Sequence, residues 1–321
     1  MRQAGRYLPE YQAVRSGMTF LELCHTPEKA AEVSIQPVDI LGVDAAIVFS
    51  DILVVLEGMG MGLRFDDHKG PVISDPIRSR GDLARLRTMD ALTDTGYLPA
   101  AVRTIVSEIG HRVPVIGFAG APYTLACYAV EGATGKQYAK TKAFMMSDPE
   151  GFRELLARLT DAVADLLIAQ IDAGASMVQL FDSWAGDLMP DQFRAFALPA
   201  AAEIVRRVAR PGVPFVYFVN GVGGRIPDIA STGATVIGVD WRVDLAEVRA
   251  TVGPARTLQG NLDPITLYAP PAVIEGRVRA VLAANQGGPH IFNLGHGILP
   301  DVPVAHAKCL VDAVKRLSVK E

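Results

Sequence analysis

Seven short apolar runs punctuate the chain, and each closes on small or polar residues. They cover residues 44–49, 113–118, 176–181, 213–219, 234–239, 255–258 and 290–294. Runs of this length are too short for buried helices and fit strands buried on both faces. Most are separated by helical patterns. Thr26-Pro27-Glu28 reads as a helix start, with a capping hydroxyl, a first-turn proline and an early acid. That helix runs toward Gly42, with Pro37 as a candidate kink. Another is expected near 97–110. The clearest begins at Asp148-Pro149-Glu150 and carries a stripe of Phe152, Leu155, Leu156, Leu159, Val163, Leu166 and Leu167 until Gly174. Further helices are expected at roughly 190–209 and 303–317. Residues 53–75, with Gly58, Gly60 and Gly62, read as a hairpin-like excursion.

Continuous strand–helix alternation predicts a parallel sheet, and eight such units close into a (β/α)8 TIM-type barrel with its site at the strands' C-terminal ends. Those ends carry Asp51, Ser183, Asn220, Asp240, Asn261 and His296. The count is one strand short. The expectation is a truncated first strand lying just upstream of Met1 and ending at Met1-Arg2-Gln3. With no repeat, low-complexity tract or linker, residues 1–321 are expected to form a single domain. The first fifteen residues then become the first β-to-α loop. Arg2, Arg6 and Arg15, set among Gly5 and Pro9, read as a loop that grips an anion, because a guanidinium fork matches a carboxylate or phosphate bidentately.

Composition narrows the ligand. The 321 residues are 50% hydrophobic and 21% charged, with a net charge of −4. That balance excludes a disordered chain and a broad positive field for nucleic acid, so an anionic ligand has to be held by local arginines. Cys24, Cys127 and Cys309 are few and far apart, which suits a reducing compartment. With no apolar run of membrane-spanning length and no signal peptide, the expected location is cytoplasmic, with no membrane partner. Cys24-His25 are adjacent rather than spaced as ligands, and no His-x-x-x-His or Cys-x-x-Cys pair exists, so no metal is expected. Gly221-Val222-Gly223-Gly224-Arg225 permits a weak phosphate-loop reading, with an ordinary β-to-α turn the better one. No nucleophile elbow surrounds Ser183.

The stretch Met-Arg-Gln-Ala-Gly-Arg-Tyr-Leu-Pro-Glu at 1–10 resembles the signature of the uroporphyrinogen decarboxylase family. The resemblance continues through Phe49-Ser50-Asp51-Ile52-Leu53, Gly117-Phe118-Ala119-Gly120-Ala121-Pro122, Gln179-Leu180-Phe181-Asp182-Ser183, Leu258-Gln259-Gly260-Asn261-Leu262-Asp263-Pro264 and Asn293-Leu294-Gly295-His296-Gly297. It covers essentially the whole chain, in order. The family members are homodimeric (β/α)8 barrels of haem biosynthesis. They convert the four acetate arms of uroporphyrinogen III to methyls, giving coproporphyrinogen III and carbon dioxide without metal or organic cofactor. The resemblance implies that Arg2, Gln3, Ala4, Gly5, Arg6 and Arg15 form the substrate-binding first loop. It also implies that Asp51 is the central carboxylate, that Tyr128 stands beside it, and that Ser183 and His296 contact substrate. Arg2, Arg6, Asp51 and Tyr128 are the implied catalytic residues.

Such a substrate is apolar in the middle and anionic at the edge. It calls for an apolar floor, a central acceptor and positive charge at the rim. Phe49, Phe118 and Phe181 are candidates for the floor, with core packing as the ordinary alternative. Asp51 suits the centre, although an Asp at that spacing also caps a following helix. Two other functions compete. One is a cobalamin-dependent methyltransferase of the same superfamily, which uses a zinc site of histidine and cysteines; the other is a tetrapyrrole carrier without chemistry.

Overall fold

The protein is described here from a computed structural model, which describes residues 3–66, 70–135, 137–221 and 223–318. Met1 and Arg2, and with them the expected roles of Arg2, lie outside the described residues. The strands are β1 (Ala46–Ile47), β2 (Leu63–Asp66), β3 (Gly70–Ile73), β4 (Val115–Gly120), β5 (Met177–Asp182), β6 (Phe215–Val219), β7 (Val236–Gly238), β8 (Thr257–Leu262) and β9 (His290–Leu294). Seven of them form one sheet in the order β1-β4-β5-β6-β7-β8-β9, every neighbouring pair parallel. β2 and β3 form a separate antiparallel pair.

In that sheet each strand pairs with the next one along the chain, with no reversal. Parallel crossovers are right-handed, so a sheet that never reverses places its helices on one face only. The other face has to be buried by curling on itself. The side chains show the curl. Gln259 on β8 donates from Nε2 to Oε1 of Gln179 on β5 at 3.1 Å. Three strand spacings separate these residues, about 14 Å in a flat sheet. The described sheet is therefore a curled half-barrel of seven strands.

Strand alternation sorts the side chains. Phe118, Phe181 and Phe218 meet edge to face on the concave side, with ring centroids 5.7 and 6.1 Å apart. The outer face carries the helices. There Gln170 of the long helix Pro149–Asp172 donates to Phe118 O and accepts from Phe118 N, both at 2.9 Å. One connected apolar core runs from Ala4 to Ala307.

Most expected elements form where the pattern put them. The helix Pro27–Leu41 ends at Gly42 and contains Pro37. The helix Tyr97–Ile109 ends at Gly110. Asp148 caps its helix by accepting from Gly151 N at 2.9 Å. The expected hairpin forms between β2 and β3, but a short helix, Val54–Gly58, precedes it. Three expectations need correction. The opening stretch is not a loop throughout: Pro9–Arg15 is a helix, and Tyr7, Leu8 and Tyr11 are buried in the core. Thr26 lacks the expected capping bond, because its hydroxyl donates instead to Glu22 O at 2.7 Å. β8 also runs on through Gln259, Gly260 and Asn261, which were expected to follow it. Its polar side chains find partners inside the fold and so do not end the strand.

Candidate active site

The C-terminal ends of the strands form a collar of hydrogen bonds. After β5, the Ser183 carbonyl accepts from Asn220 Nδ2 at 3.3 Å. After β6, Asn220 Oδ1 accepts from Arg242 Nη1 at 2.8 Å. After β7, Asp240 is fully buried and accepts from the Arg242 backbone at 2.9 Å, from Arg242 Nη1 at 3.1 Å and from Gly221 N. Asn261 of β8 donates to the carbonyls of Asp240 and Val243 at 3.0 and 2.9 Å. Asn220, Asp240 and Asn261 therefore tie one strand end to the next.

Two glycines allow this crowding. A Cβ on Gly186 would lie 1.9 Å from the Asn220 carbonyl oxygen, so only glycine lets the loops after β5 and β6 touch. A Cβ on Gly295 would lie 2.4 Å from Trp241 N. That close approach brings His296, half-buried, to Trp241 with ring centroids 5.9 Å apart.

Asp51 follows β1 and is half-buried. Its Oδ1 accepts from Leu53 N at 2.9 Å, so it does brace the turn into the helix Val54–Gly58. Tyr128 stands on the helix Pro122–Glu131, which begins directly after β4. Burial first, and then the Asp51 charge, push its phenol up to about 12. Tyr128 is therefore protonated throughout the physiological range and electrostatically coupled to Asp51. Its ring lies 6.2 Å from Trp184, which lies 5.0 Å from Tyr138. Ser183 is half-buried beside them in sequence.

The first loop arrives along the edge of β1. Gln3 donates from Nε2 to Ala45 O at 2.7 Å and accepts at Oε1 from Ile47 N at 3.0 Å. These are backbone groups on the side of β1 away from β4, since Ala46 N and Val48 N bond toward β4. Its side-chain amide thus imitates a neighbouring strand. Ala4 and Gly5 are buried, Arg6 is exposed and Arg15 is half-buried. The loop is folded by Leu8 N bonding to Gly5 O at 3.0 Å, by Tyr7 OH bonding to Gln3 O and by Gln12 Nε2 bonding to Arg6 O, both at 2.5 Å.

Of the candidate floor residues, Phe118 and Phe181 sit together on the concave face, with Phe181 half-buried. Phe49 instead packs against Tyr11 and Phe20, at 5.7 and 5.6 Å. The glycine loop after β6 does not present Arg225 to a phosphate. Arg225 is buried and turns back onto the carbonyls of Gly186, Leu188 and Gly221. Among the described residues no group of three His, Cys, Asp or Glu side chains could hold a metal ion. His25 pairs with Glu57 at 2.9 Å.

Sequence reasoning missed three residues here. Trp241 and Arg242 follow the strand-end Asp240 directly, but nothing in the pattern separates them from surface residues. Asp182 was quoted only as part of a motif. It is fully buried on the outer face, where it accepts from Thr124 Oγ1 at 2.7 Å and Tyr217 OH at 3.0 Å. Burial outweighs those bonds and pushes its carboxyl up to about 6.

The sequence model of the uroporphyrinogen decarboxylase family (URO-D) matches residues 1–317. The chain belongs to this family. It is 50% identical over 319 residues to uroporphyrinogen decarboxylase of Trichlorobacter lovleyi, covering 99% of this chain and 93% of the relative. It is also 50% identical over 321 residues to the Geobacter metallireducens enzyme, covering 100% and 94%. Among solved structures, a methyltransferase from Methanosarcina mazei superposes with a TM-score of 0.82 at 21% identity, over 96% of this chain and 91% of that one. At that identity the superposition speaks for a shared fold alone. The uroporphyrinogen decarboxylase family is a family of carboxy-lyases, and among the described residues of this member no helix is long and apolar enough to cross a membrane.

Proposed function

We propose that this protein decarboxylates the four acetate side chains of uroporphyrinogen III, giving coproporphyrinogen III and carbon dioxide. The observation that carries the reading is half identity to uroporphyrinogen decarboxylases along the whole chain. The geometry agrees with it: Asp51, Tyr128, Ser183 and His296 follow four different strands at the same end of one curled sheet.

Each step replaces a carbon–carbon bond to carboxylate with a carbon–hydrogen bond. Protonation of the pyrrole at the carbon bearing the acetate creates a delocalised cation. The electron pair of the breaking bond flows into that cation as carbon dioxide leaves. A second proton then reaches the exocyclic carbon, and the ring proton is returned, so one proton is consumed per acetate. Asp51 is suited to accept the pyrrole N–H groups and to stabilise the cation from a fixed position. Tyr128, kept protonated, is suited to donate to Asp51 or to substrate. Arg2, Arg6 and Arg15 are assigned to the substrate carboxylates. An arginine barely deprotonates and is a poor proton donor, so Arg2 and Arg6 act mainly through charge. For Gln3 the assignment narrows, because both ends of its side-chain amide are engaged with β1. Gln3, Ala4 and Gly5 then offer backbone groups, and Ser183 and His296 contact substrate from the cleft wall. Phe118 and Phe181 supply the floor.

We further propose closure into an eight-stranded barrel forming a single domain. We assign a homodimer and a cytoplasmic location, with which the three free cysteines are compatible. Anaerobic incubation with uroporphyrinogen III, followed by oxidation and separation of the porphyrins, tests the activity. Coproporphyrin is the expected product; recovery of uroporphyrin alone would count against it.

A further inference from the structure

Arg242 is an exposed residue on the rim with a buried anchor. Its Nη1 is engaged twice, with Asn220 Oδ1 at 2.8 Å and Asp240 Oδ2 at 3.1 Å. Asp240 is itself wholly buried, so the anchor does not move with solvent. The guanidinium carbon sits 3.9 Å from the centroid of the Trp241 ring. Two hydrogen bonds at one nitrogen and the Trp241 ring against the guanidinium thus fix the plane of the fork. The opposite edge, formed by Nε and Nη2, makes no hydrogen bond among the described residues, and the side chain remains half-exposed. A guanidinium edge of this kind takes a carboxylate through two parallel N–H···O bonds. Trp241 also meets His296 at 5.9 Å, so Arg242, stacked on Trp241, shares this part of the rim with His296.

The usual role of such a residue is a fold staple. Here the staple uses only one of the three guanidinium nitrogens, and a lysine would pair with Asp240 as well. Prior fixation lowers the entropy lost when a carboxylate binds.

We propose that the Nε–Nη2 edge of Arg242 binds a peripheral carboxylate of the porphyrinogen, making Arg242 a substrate-binding residue of the rim beside His296. This rests on the decarboxylase reading and extends it to a residue outside the first loop. The planar fork, rather than charge alone, is the recognition element.

The test compares the unmodified protein with Arg242→Leu and Arg242→Lys. For Arg242→Leu we expect KM for uroporphyrinogen to rise about tenfold, with kcat changed by less than about twofold, the signature of lost uniform binding. Arg242→Lys keeps a cation near Asp240 but lacks the fork, and we expect it to recover less than half of the lost affinity. A folded Arg242→Leu with unchanged KM would overturn the proposal, as would full recovery in Arg242→Lys. If Arg242→Leu does not fold, Arg242→Lys decides alone: KM raised at least threefold supports the proposal, and KM unchanged overturns it. Titration of the same proteins with uroporphyrin, read by quenching of tryptophan fluorescence, keeps the two readings apart. Weaker binding in both variants supports the Arg242 site whether or not the unmodified protein turns over. Absence of turnover in the unmodified protein counts against the decarboxylase reading only.

Discussion

The sequence left two alternatives for Asp51, a brace for the following turn and a central carboxylate, and the proposed function assigns it both. One oxygen braces the turn at Leu53 N, and the charge of the carboxylate helps to raise the Tyr128 phenol. Substitution separates them. Asp51→Asn keeps an acceptor for the turn and removes the charge. We expect it to melt within a few degrees of the parent while losing roughly two to four kcal/mol of transition-state stabilisation, a hundredfold or more in kcat. Near-normal carbon dioxide release by this variant would remove Asp51 from the centre. Asp182 has a different signature. Its carboxyl is raised from 3.8 to about 6 by burial, so the native state binds its proton more tightly than the unfolded chain. The resulting stabilisation is complete below about pH 4 and is lost as pH rises through about 6, a span worth roughly 3 kcal/mol. Asp182→Asn mimics the neutral form. Stability of the parent minus that of this variant, from urea unfolding, should fall across this window; a flat difference would show that Asp182 ionises freely. The motif match singled out Asp51 and His296, but not Asp182, because a buried aspartate and a site aspartate look alike in sequence.

The opening stretch changes most between sequence and structure. Its arginines suggested a loop, yet Tyr7, Leu8 and Tyr11 are buried and Pro9–Arg15 is helical. Seven residues give too short a window for periodicity to register. Gln3 was expected to touch substrate, and its side chain instead occupies the outer edge of β1. Removing it leaves two backbone groups of an edge strand to find new partners. We expect Gln3→Ala to lower stability by about 1–2 kcal/mol in urea unfolding and to change KM less than about threefold. A large KM effect without loss of stability would return Gln3's side chain to the substrate. β8 was expected too short because polar residues normally end a buried run. Gln259 and Asn261 break that pattern by bonding to Gln179 and to the loop after β7.

At the scale of the molecule, the seven apolar runs and the helices between them were legible, and all seven became strands of one sheet. Its curvature was not, since it depends on contacts such as Gln179–Gln259 between residues eighty positions apart. The rim collar was equally hidden. Its polar residues could be placed at strand ends, but not their bonding to one another. The methyltransferase fold likeness leaves chemistry open, and the chain's own residues separate the readings: whole-chain family identity favours loss of carboxylates. The decisive measurement is anaerobic turnover of uroporphyrinogen III by the purified protein, without added metal or cofactor, following porphyrin products and released carbon dioxide together. We expect coproporphyrinogen III and four carbon dioxide molecules per substrate, about one for each acetate lost. Tight binding of uroporphyrinogen with no carbon dioxide released would contradict the decarboxylase and leave a tetrapyrrole carrier.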